Sequence, residues 1–415
     1  MSDFNWPPAK NETHEKFDAD FARLSLDSRV VSAKAVIPKR IDPLVTPIYH
    51  STTYRYDTVA QFTEPGHGQN HVYQRCGNPT VDSVEVAINE IEGGAATLVY
   101  NSGLAACSAV LLEFLNPGDH IICMYPMYSG SYSFLTETIA RFGVETTFVD
   151  LIKEKNFVEA VRSAVKPNTK LFFFEVIANP TMDMPDLKAI VKIANDAKIR
   201  VCIDATFASP ILFSPIKLGA DFSLHSCSKY IGGHTDVIAG CVTAKNMEDW
   251  QRLKLQQLTT GSALSPFDAS LLSRGLKTLC LRVEKISANA MEVAKFLEGH
   301  KKVVSVNYCG LPSNKTHTIA SEIMHGGFGG MIALDLGTAK AAITLVENLR
   351  LIVHAVSLGG VESLIEHPAS WSHGSQLLRG EDAPAPIGEG ILRLSIGVES
   401  VKDLIADFER ALTFV

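Results

Sequence analysis

Short apolar runs alternate with longer amphipathic segments between about residues 80 and 245. The runs ATLVY (96–100), HIICM (120–124) and KLFFFEV (170–176) predict strands, because each is short, apolar and bounded by polar or turn-forming residues. The segments that alternate with them predict helices, among them Leu104–Phe114, Ser131–Phe142 and Asp186–Ala197. Repeated strand–helix–strand units are typical of an α/β domain whose mostly parallel sheet is covered on both faces.

The pattern changes after about residue 280. A long amphipathic helix over Leu281–Leu297 precedes predicted strands at Val303–Tyr308 and Gly330–Leu336. A helix over Thr338–Asn348 follows, with Thr338 as its N-cap, and the chain ends with one more strand and helix. These elements predict a smaller C-terminal α+β domain.

The first 76 residues have little apolar periodicity. Pro38, Pro43 and Pro47 exclude a regular helix across the second half of this stretch. A stretch of this length with so little core of its own is expected to lie on a neighbouring subunit. We therefore predict three parts: an N-terminal arm and subunit-contact segment (1–76), the larger α/β domain (77–279) and the C-terminal domain (280–415).

Composition narrows the class of protein. The 415 residues are 46 % hydrophobic and 20 % charged, which is ordinary for a globular protein and excludes disorder of the whole chain. The net charge of −7 argues against a nucleic-acid partner. There is no apolar run long enough to cross a bilayer and no signal-peptide core, so we expect a cytoplasmic protein without a membrane partner. The eight cysteines form no CxxC pair and lie near no histidine at ligand spacing, which predicts reduced thiols and no metal site.

Several residues carry candidate chemistry. Lys229 follows a predicted strand within HSCSKYIGGHTD (225–236), where it is flanked by small hydroxyl side chains. A partly desolvated lysine can form a Schiff base with a carbonyl, although a lone lysine of this kind more often lies in a surface turn. Asp204 ends an apolar strand, where it could hold a proton on a ring nitrogen or simply act as a turn residue.

Two further segments fit the same chemistry. In Asn101–Ala105 (NSGLA), Gly103 lies between a strand and a helix, where backbone N–H groups can bind an anion. Tyr128 follows the strand HIICM and could stack on a flat ring. Without the other motifs, a segment such as Asn101–Ala105 is as often a simple strand–helix turn. A lone tyrosine such as Tyr128 is more often a core or surface residue.

Seven motifs in order resemble the cysteine/methionine-metabolism family of pyridoxal 5′-phosphate (PLP) enzymes, of fold type I. The resemblance runs from about Pro47 to the C-terminus. The motifs are YQRCGNPT, SGLAA, EVIANPT, DATFASP, HSCSKYIGGHTD, AVSLGGVESLIEHPASWSH and RLSIGVE. This family includes methionine γ-lyases, cystathionine γ- and β-lyases, cystathionine γ-synthases and homoserine sulfhydrylases.

The resemblance implies a PLP cofactor and a role for each matching residue. Lys229 would hold the cofactor as a Schiff base and then move protons, Asp204 would pair with the pyridine nitrogen, and Tyr128 would stack on the ring and assist proton transfer. Gly103, Leu104, Ser226 and Ser228 would hold the phosphate, and Tyr73 and Arg75 would reach it from the neighbouring subunit. Asn179 would contact the ring hydroxyl and the substrate, Arg393 would bind the substrate α-carboxylate, and Ser357 would support Arg393.

Departures from the family patterns bear on the substrate. Cystathionine γ-lyases tend to carry Glu at the position of Val356 and Arg at the position of Ser133. Losing both charges disfavours a second amino-acid head group, and a buried Val356 would favour a short apolar tail such as a thiomethyl group. Methionine γ-lyases, in turn, usually carry Cys at the position of Gly130 and Lys-Asp at Gln257-Leu258, so both alternatives stay open.

The resemblance predicts a carbon–sulfur lyase that performs γ-elimination on an amino-acid substrate, L-methionine or a related thioether. The products would be a thiol, 2-oxobutyrate and ammonia. The alternatives are a cystathionine γ-lyase of transsulfuration, and a transferase that is an O-acyl-homoserine sulfhydrylase or γ-synthase. The assembly implied is a homotetramer built from two active dimers.

Overall fold

The computed structural model describes residues 23–32, 43–54, 71–370 and 387–415. Most of the predicted N-terminal arm (1–22, 33–42 and 55–70) lies outside the described residues, as do 371–386, which include the end of the HPASWSH motif. The chain divides into two compact units. The first unit has the described residues up to Asn116, with Arg200–Asp204 and Ser214–Cys280, and the second has Pro117–Ile199, Ala205–Phe213 and the described residues of Leu281–Val415. The three predicted parts, 1–76, 77–279 and 280–415, stay a prediction.

Helices and strands alternate over most of the described chain. The strands are β1 (Ala96–Tyr100), β2 (His120–Tyr125), β3 (Glu145–Asp150), β4 (Thr169–Glu175), β5 (Arg200–Asp204), β6 (Phe222–His225), β7 (Gly240–Ala244), β8 (Ser305–Asn307), β9 (Met331–Asp335), β10 (Val353–His354), β11 (Leu364–Glu366) and β12 (Ile391–Ser395). The helices are α1 (Leu26–Ser32), α2 (Pro79–Glu92), α3 (Gly103–Phe114), α4 (Ser129–Ser133), α5 (Phe157–Ser163), α6 (Leu187–Asp196), α7 (Ser209–Leu212), α8 (Pro215–Leu218), α9 (Met247–Thr260), α10 (Pro266–Leu276), α11 (Leu279–Glu298), α12 (His317–Ile323), α13 (Ala339–Asn348) and α14 (Val401–Leu412).

The strands form one sheet of seven and one of five. Within the first unit, β5 and β6 are parallel, and β7 runs antiparallel to both β6 and β1. Within the second unit, β2 pairs in parallel with both β3 and β4. The five-stranded sheet, in the order β10-β11-β12-β9-β8, also belongs to the second unit. The predicted α/β class, with a mostly parallel larger sheet and a smaller α+β part, is confirmed.

Local capping explains where several helices begin. Ser102 caps α3 by accepting a hydrogen bond from the Ala105 N–H at 3.0 Å. Thr338 caps α13 as predicted, accepting from the Ala341 N–H at 3.2 Å. The backbone N–H groups of the first helical turn have no acceptor within the helix, and short polar side chains at these positions supply one. Among the helices of the described residues, none has the length and apolar composition that a membrane crossing requires.

The predicted helix over Ser131–Phe142 is wrong in form. The segment is α-helical only at Ser129–Ser133, continues as a π-helical turn over Phe134–Thr138 and ends as a 3₁₀ turn over Ile139–Phe142. The Thr136 hydroxyl donates to the Tyr132 carbonyl at 3.0 Å in this segment. An apolar pattern predicts a buried helical face, but the change from α to π and 3₁₀ turns lies in the backbone hydrogen bonds, which the pattern does not determine.

Helix α14 is tied to the end of α13 by one buried carboxylate. Asp407 accepts hydrogen bonds from the backbone N–H groups of Arg350, Leu351 and Ile352 at 2.8–3.2 Å and pairs with Arg410 at 2.7 Å. Burial alone would raise the pKa of Asp407, but the hydrogen bonds from Arg410 and from the three N–H groups outweigh it and lower the pKa. The Asp407 charge therefore stabilises the segment between α13 and β10.

We expect Asp407→Asn to lower the free energy of unfolding at pH 7 by about 1–3 kcal/mol, because the amide lacks the charge and one acceptor oxygen. A carboxylate whose pKa is lowered by folding stabilises the protein above the ordinary Asp pKa of about 3.9 and loses that contribution as the pH falls. The difference between variant and wild type should therefore shrink below about pH 4. Urea unfolding at several pH values measures it, with Asp403→Asn, an exposed carboxylate of the same helix, as the control. A difference that does not depend on pH would contradict the expectation.

Candidate active site

The carboxyl ends of three strands meet at one edge of the sheet in the first unit. β5 ends at Asp204, and the parallel strand β6 ends beside it at His225. β1 ends at Tyr100, opposite Gly240 at the start of β7, which in turn pairs with β6. Open α/β sheets bind ligands at this edge. The structure therefore brings Asp204, the segment after β6 and the loop after β1 to one edge.

The N-terminus of α3 packs directly on the segment after β6. A Cβ atom on Gly103 would lie 2.7 Å from the Cβ and 2.9 Å from the Oγ of Ser226, so only glycine permits this approach. A Cβ on Gly240 would lie 2.6 Å from the Gly103 Cα, so glycine is required there too. Leu104 follows in the first turn of α3, where backbone N–H groups lack helical acceptors and favour an anion. The cradle formed by Gly103, Leu104 and Ser226 fits a phosphate group.

Lys229 lies in a tight turn directly after this cradle. Its N–H donates to the Ser226 carbonyl at 3.1 Å, and its carbonyl accepts from the Gly233 N–H at 2.7 Å. The nearby Ser228 hydroxyl accepts from the Ala239 N–H at 2.9 Å and contacts the Ala239 carbonyl at 3.2 Å. The turn thus holds Lys229 at the same sheet edge as Asp204, while Ser228 binds the backbone beside it. The predicted phosphate contact of Ser228 stays a prediction.

Tyr73 and Arg75 lie on the surface of the first unit. The Arg75 guanidinium lies 5.9 Å from the centroid of the Tyr73 ring and donates to the Leu258 carbonyl near the end of α9. Both side chains are exposed in the single chain. Their predicted contact with the phosphate of a neighbouring subunit stays a prediction.

In the second unit, the Arg393 guanidinium is buried among acceptors. Arg393 on β12 lies directly opposite Glu366 on β11, and its Nη2 is 2.9 Å from the Glu366 carboxylate. Its Nη1 donates to Asn179 Oδ1 at 3.0 Å, and its Nη2 donates to the Ser357 carbonyl at 3.1 Å. Burial lowers the pKa of Arg393 from its ordinary value, and the negative charge of Glu366 opposes that shift. The structure brings three predicted residues, Arg393, Asn179 and Ser357, into one network.

The backbone at Ser357 adopts an unfavourable conformation. Its φ of +87° is rare for a residue with a side chain, and such positions cluster at functional sites. The turn directs the Ser357 carbonyl towards Arg393. Val356 is 52 % exposed in the chain, so the expectation of a buried valine was wrong.

A second buried carboxylate connects the loops that follow β2 and β4. Glu175 at the end of β4 accepts hydrogen bonds from the Tyr128 N–H at 2.6 Å and from the Asn179 N–H at 3.3 Å. The Tyr128 side chain is 47 % exposed. A Cβ on Gly130 would lie 2.6 Å from the Tyr128 ring, so the absence of a side chain at 130 leaves room for that ring.

Two residues of this network were not predicted from the sequence. Glu175 begins the EVIANPT motif and Glu366 lies in VESLIEHPASW, but neither motif indicated which backbone or side chain they bind. The signal that could have found them is an acidic residue at the end of an apolar strand, where a buried charge requires a partner. Within the described residues, His, Cys, Asp and Glu form no group of three that could hold a metal ion.

Comparison with known proteins gives the family. The family model described as Cys/Met metabolism PLP-dependent enzyme matches residues 27–413. The chain is 40 % identical to an L-methionine γ-lyase of Porphyromonas gingivalis, over 95 % of this chain and 98 % of that protein. It is 39 % identical to a cystathionine γ-lyase of Bacillus subtilis, over 88 % of this chain and 93 % of that protein. The crystal structure of a cystathionine γ-lyase from Lactobacillus plantarum complexed with L-serine matches with a TM-score of 0.86 and 35 % identity, covering 94 % of this chain and 99 % of that one.

We expect Gly103→Ala to weaken the binding of PLP at least tenfold, because the added Cβ would push the N-terminus of α3 away from Ser226. Titration of the cofactor-free protein with PLP, followed by absorbance, measures the affinity. Gly299→Ala is the matched control, since its Cβ would meet only ordinary contacts at 3.6 Å and beyond. Unchanged affinity in a folded Gly103→Ala protein would show that this cradle does not bind the phosphate.

Proposed function

Because the chain belongs to the Cys/Met metabolism PLP-dependent enzyme family, we propose that it is a carbon–sulfur lyase acting on L-methionine or a related thioether amino acid. The reaction is a γ-elimination that, with water, yields a thiol, 2-oxobutyrate and ammonia. The observation that carries the proposal is the buried guanidinium of Arg393, which lies in the same network as Asn179 and can bind the carboxylate of an amino acid.

The residues of the first unit would hold the cofactor. The N-terminus of α3, with Gly103, Leu104 and Ser226, binds the phosphate, and Ser228 supports that segment. Lys229 would hold the cofactor, and its amine would take the proton from the substrate Cα. Asp204 would keep a proton on the pyridine nitrogen. When bound, PLP supplies the electron sink that makes the Cα proton removable.

The residues of the second unit would bind the substrate and assist its cleavage. The Arg393 guanidinium has five N–H donors, and the three described contacts leave donors for a substrate carboxylate. Tyr128 would stack on the cofactor ring, and its hydroxyl would donate a proton to the departing thiolate. Asn179 would contact the ring hydroxyl and the substrate.

The choice of methionine over cystathionine rests on the distal end of the substrate. Ser133 and Val356 are uncharged and exposed in the chain, so neither supplies a charge for a second amino-acid head group. Overall identity does not make this choice, because the chain is 40 % identical to a methionine γ-lyase and 39 % identical to a cystathionine γ-lyase. A cystathionine γ-lyase and an O-acyl-homoserine sulfhydrylase or γ-synthase are the alternatives that the product test separates.

The assembly proposed is a homotetramer of two active dimers. Support comes from the exposure of Tyr73 and Arg75 together with the apolar side chains of Leu44, Val45 and Ile48 on the N-terminal segment. A neighbouring subunit covering this face would receive Tyr73 and Arg75 close to its own phosphate cradle. A cytoplasmic location is proposed from the sequence as well.

Product analysis by mass spectrometry tests the reaction. The PLP-loaded protein receives L-methionine and L-cystathionine together in equal amounts. We expect methanethiol and 2-oxobutyrate, with cystathionine left intact. Cysteine and 2-oxobutyrate with intact methionine would identify a cystathionine γ-lyase. If neither substrate is cleaved, a second incubation with an O-acyl-homoserine and a thiol follows, and their consumption would identify a transferase. Lys229→Ala should lose turnover about 10³-fold or more, whereas Lys245→Ala, an exposed lysine, should not.

Val356→Glu is expected to shift preference towards cystathionine, because a carboxylate can pair with the distal ammonium group of that substrate. The ratio of kcat/KM for cystathionine to that for methionine should rise at least tenfold. Val353→Glu, a nearby exposed valine, is the control that introduces the same charge. An unchanged ratio in Val356→Glu would mean that position 356 does not determine specificity.

A further inference from the structure

Glu175 bridges two loops of the candidate site with one carboxylate. It is buried at the end of β4, and each of its oxygens accepts a backbone N–H, one from Tyr128 at 2.6 Å and one from Asn179 at 3.3 Å. We infer that Glu175 is a positioning residue that holds the ring-stacking Tyr128 in register with the carboxylate-binding pair of Asn179 and Arg393. This inference rests on the proposed function, in which those residues contact cofactor and substrate.

The first connection follows from the sheet. β2 and β4 are parallel neighbours, so the loop that follows β2 starts beside the end of β4. Tyr128 lies at the start of the short helix α4, where its N–H has no acceptor within the helix. Glu175 supplies that acceptor, and its negative charge makes the hydrogen bond stronger than one to a neutral group. This hydrogen bond fixes the Tyr128 backbone, to which the ring is attached, beside the end of β4.

The second connection reaches the guanidinium. Glu175 binds the N–H of Asn179, and the side-chain oxygen of the same Asn179 accepts from Arg393 at 3.0 Å. Burial lowers the pKa of Arg393, and the negative charge of Glu175 opposes this shift, as that of Glu366 does. A displacement of Asn179 would therefore change the position of the guanidinium that binds the substrate carboxylate.

A carboxylate is the group that this geometry requires. Two N–H donors from two different loops need two acceptor atoms on one side chain, and glutamate provides them. A glutamine at 175 would keep the size but place an NH₂ group against one of the two donors. The shorter contact, to Tyr128, is the stronger, so the amide oxygen should stay there and the Asn179 loop should lose its acceptor.

Two variants separate the two connections. Glu175→Gln should raise KM for the amino-acid substrate at least tenfold and leave the visible circular dichroism of bound PLP unchanged, because only the Asn179 side is disturbed. Glu175→Ala should raise KM similarly and also change that circular dichroism, because Tyr128 loses its acceptor too. Asp407→Asn is the matched control, a buried carboxylate of the same unit that also binds backbone N–H groups, and it should lower thermal stability without changing KM or the spectrum.

The outcomes distinguish failure of this inference from failure of the proposed function. If the wild-type protein binds no PLP or releases no thiol from a thioether amino acid, the proposed function fails. If the wild type is active and both Glu175 variants match it in KM and spectrum, the inference is overturned. It is overturned equally if the Glu175 variants and Asp407→Asn lose only stability. Should Glu175→Ala fail to fold, the KM and spectrum of Glu175→Gln decide alone.

Discussion

A buried positive charge must be matched by acceptors, and in the second unit that charge is the guanidinium of Arg393. Leaving such a charge without its partner costs about 3–5 kcal/mol, so the segments that supply acceptors have little freedom. Glu366, the Ser357 carbonyl and the Asn179 side chain come from three separate stretches of the chain. Each stretch places an acceptor within hydrogen-bonding distance of Arg393. The positive φ at Ser357, which costs about 1–3 kcal/mol, is tolerated for the same reason.

The same acceptors that match the charge of Arg393 also fix the position of its guanidinium. Glu366 binds Arg393 directly. Glu175 binds the backbone of Asn179, and the Asn179 side chain binds Arg393. A guanidinium flanked in this way stays charged and oriented before any ligand arrives. Preorganisation of this kind reduces the entropy that binding would otherwise lose. In the first unit, the corresponding constraint is steric, since Gly103 and Gly240 allow the N-terminus of α3 to approach Ser226.

Much of the architecture could be predicted from local pattern. The strand over Ala96–Tyr100 has the predicted bounds, and the cap at Thr338 is confirmed. Both depend on interactions within a few residues or on burial, which the sequence displays directly. The segment Ser131–Phe142 changes from an α-helix to π and 3₁₀ turns, because the apolar pattern does not determine which backbone hydrogen bonds form. The burial of Val356 was also wrongly expected, since exposure depends on how the loop turns at Ser357.

The amino-acid sequence by itself determined the fold class and the PLP family, and it supplied the residues proposed to carry the chemistry, from Lys229 and Asp204 to Arg393. These follow from the order of motifs and from apolar periodicity, which are properties of the amino-acid sequence. Only the tertiary structure decided the partners of those residues. Glu175 and Glu366 act because strand pairing places β4 beside β2 and β11 beside β12. The function of a buried carboxylate depends on the hydrogen-bond donors that folding brings within about 3 Å of it. Those donors come from distant segments, so a local sequence pattern does not predict them.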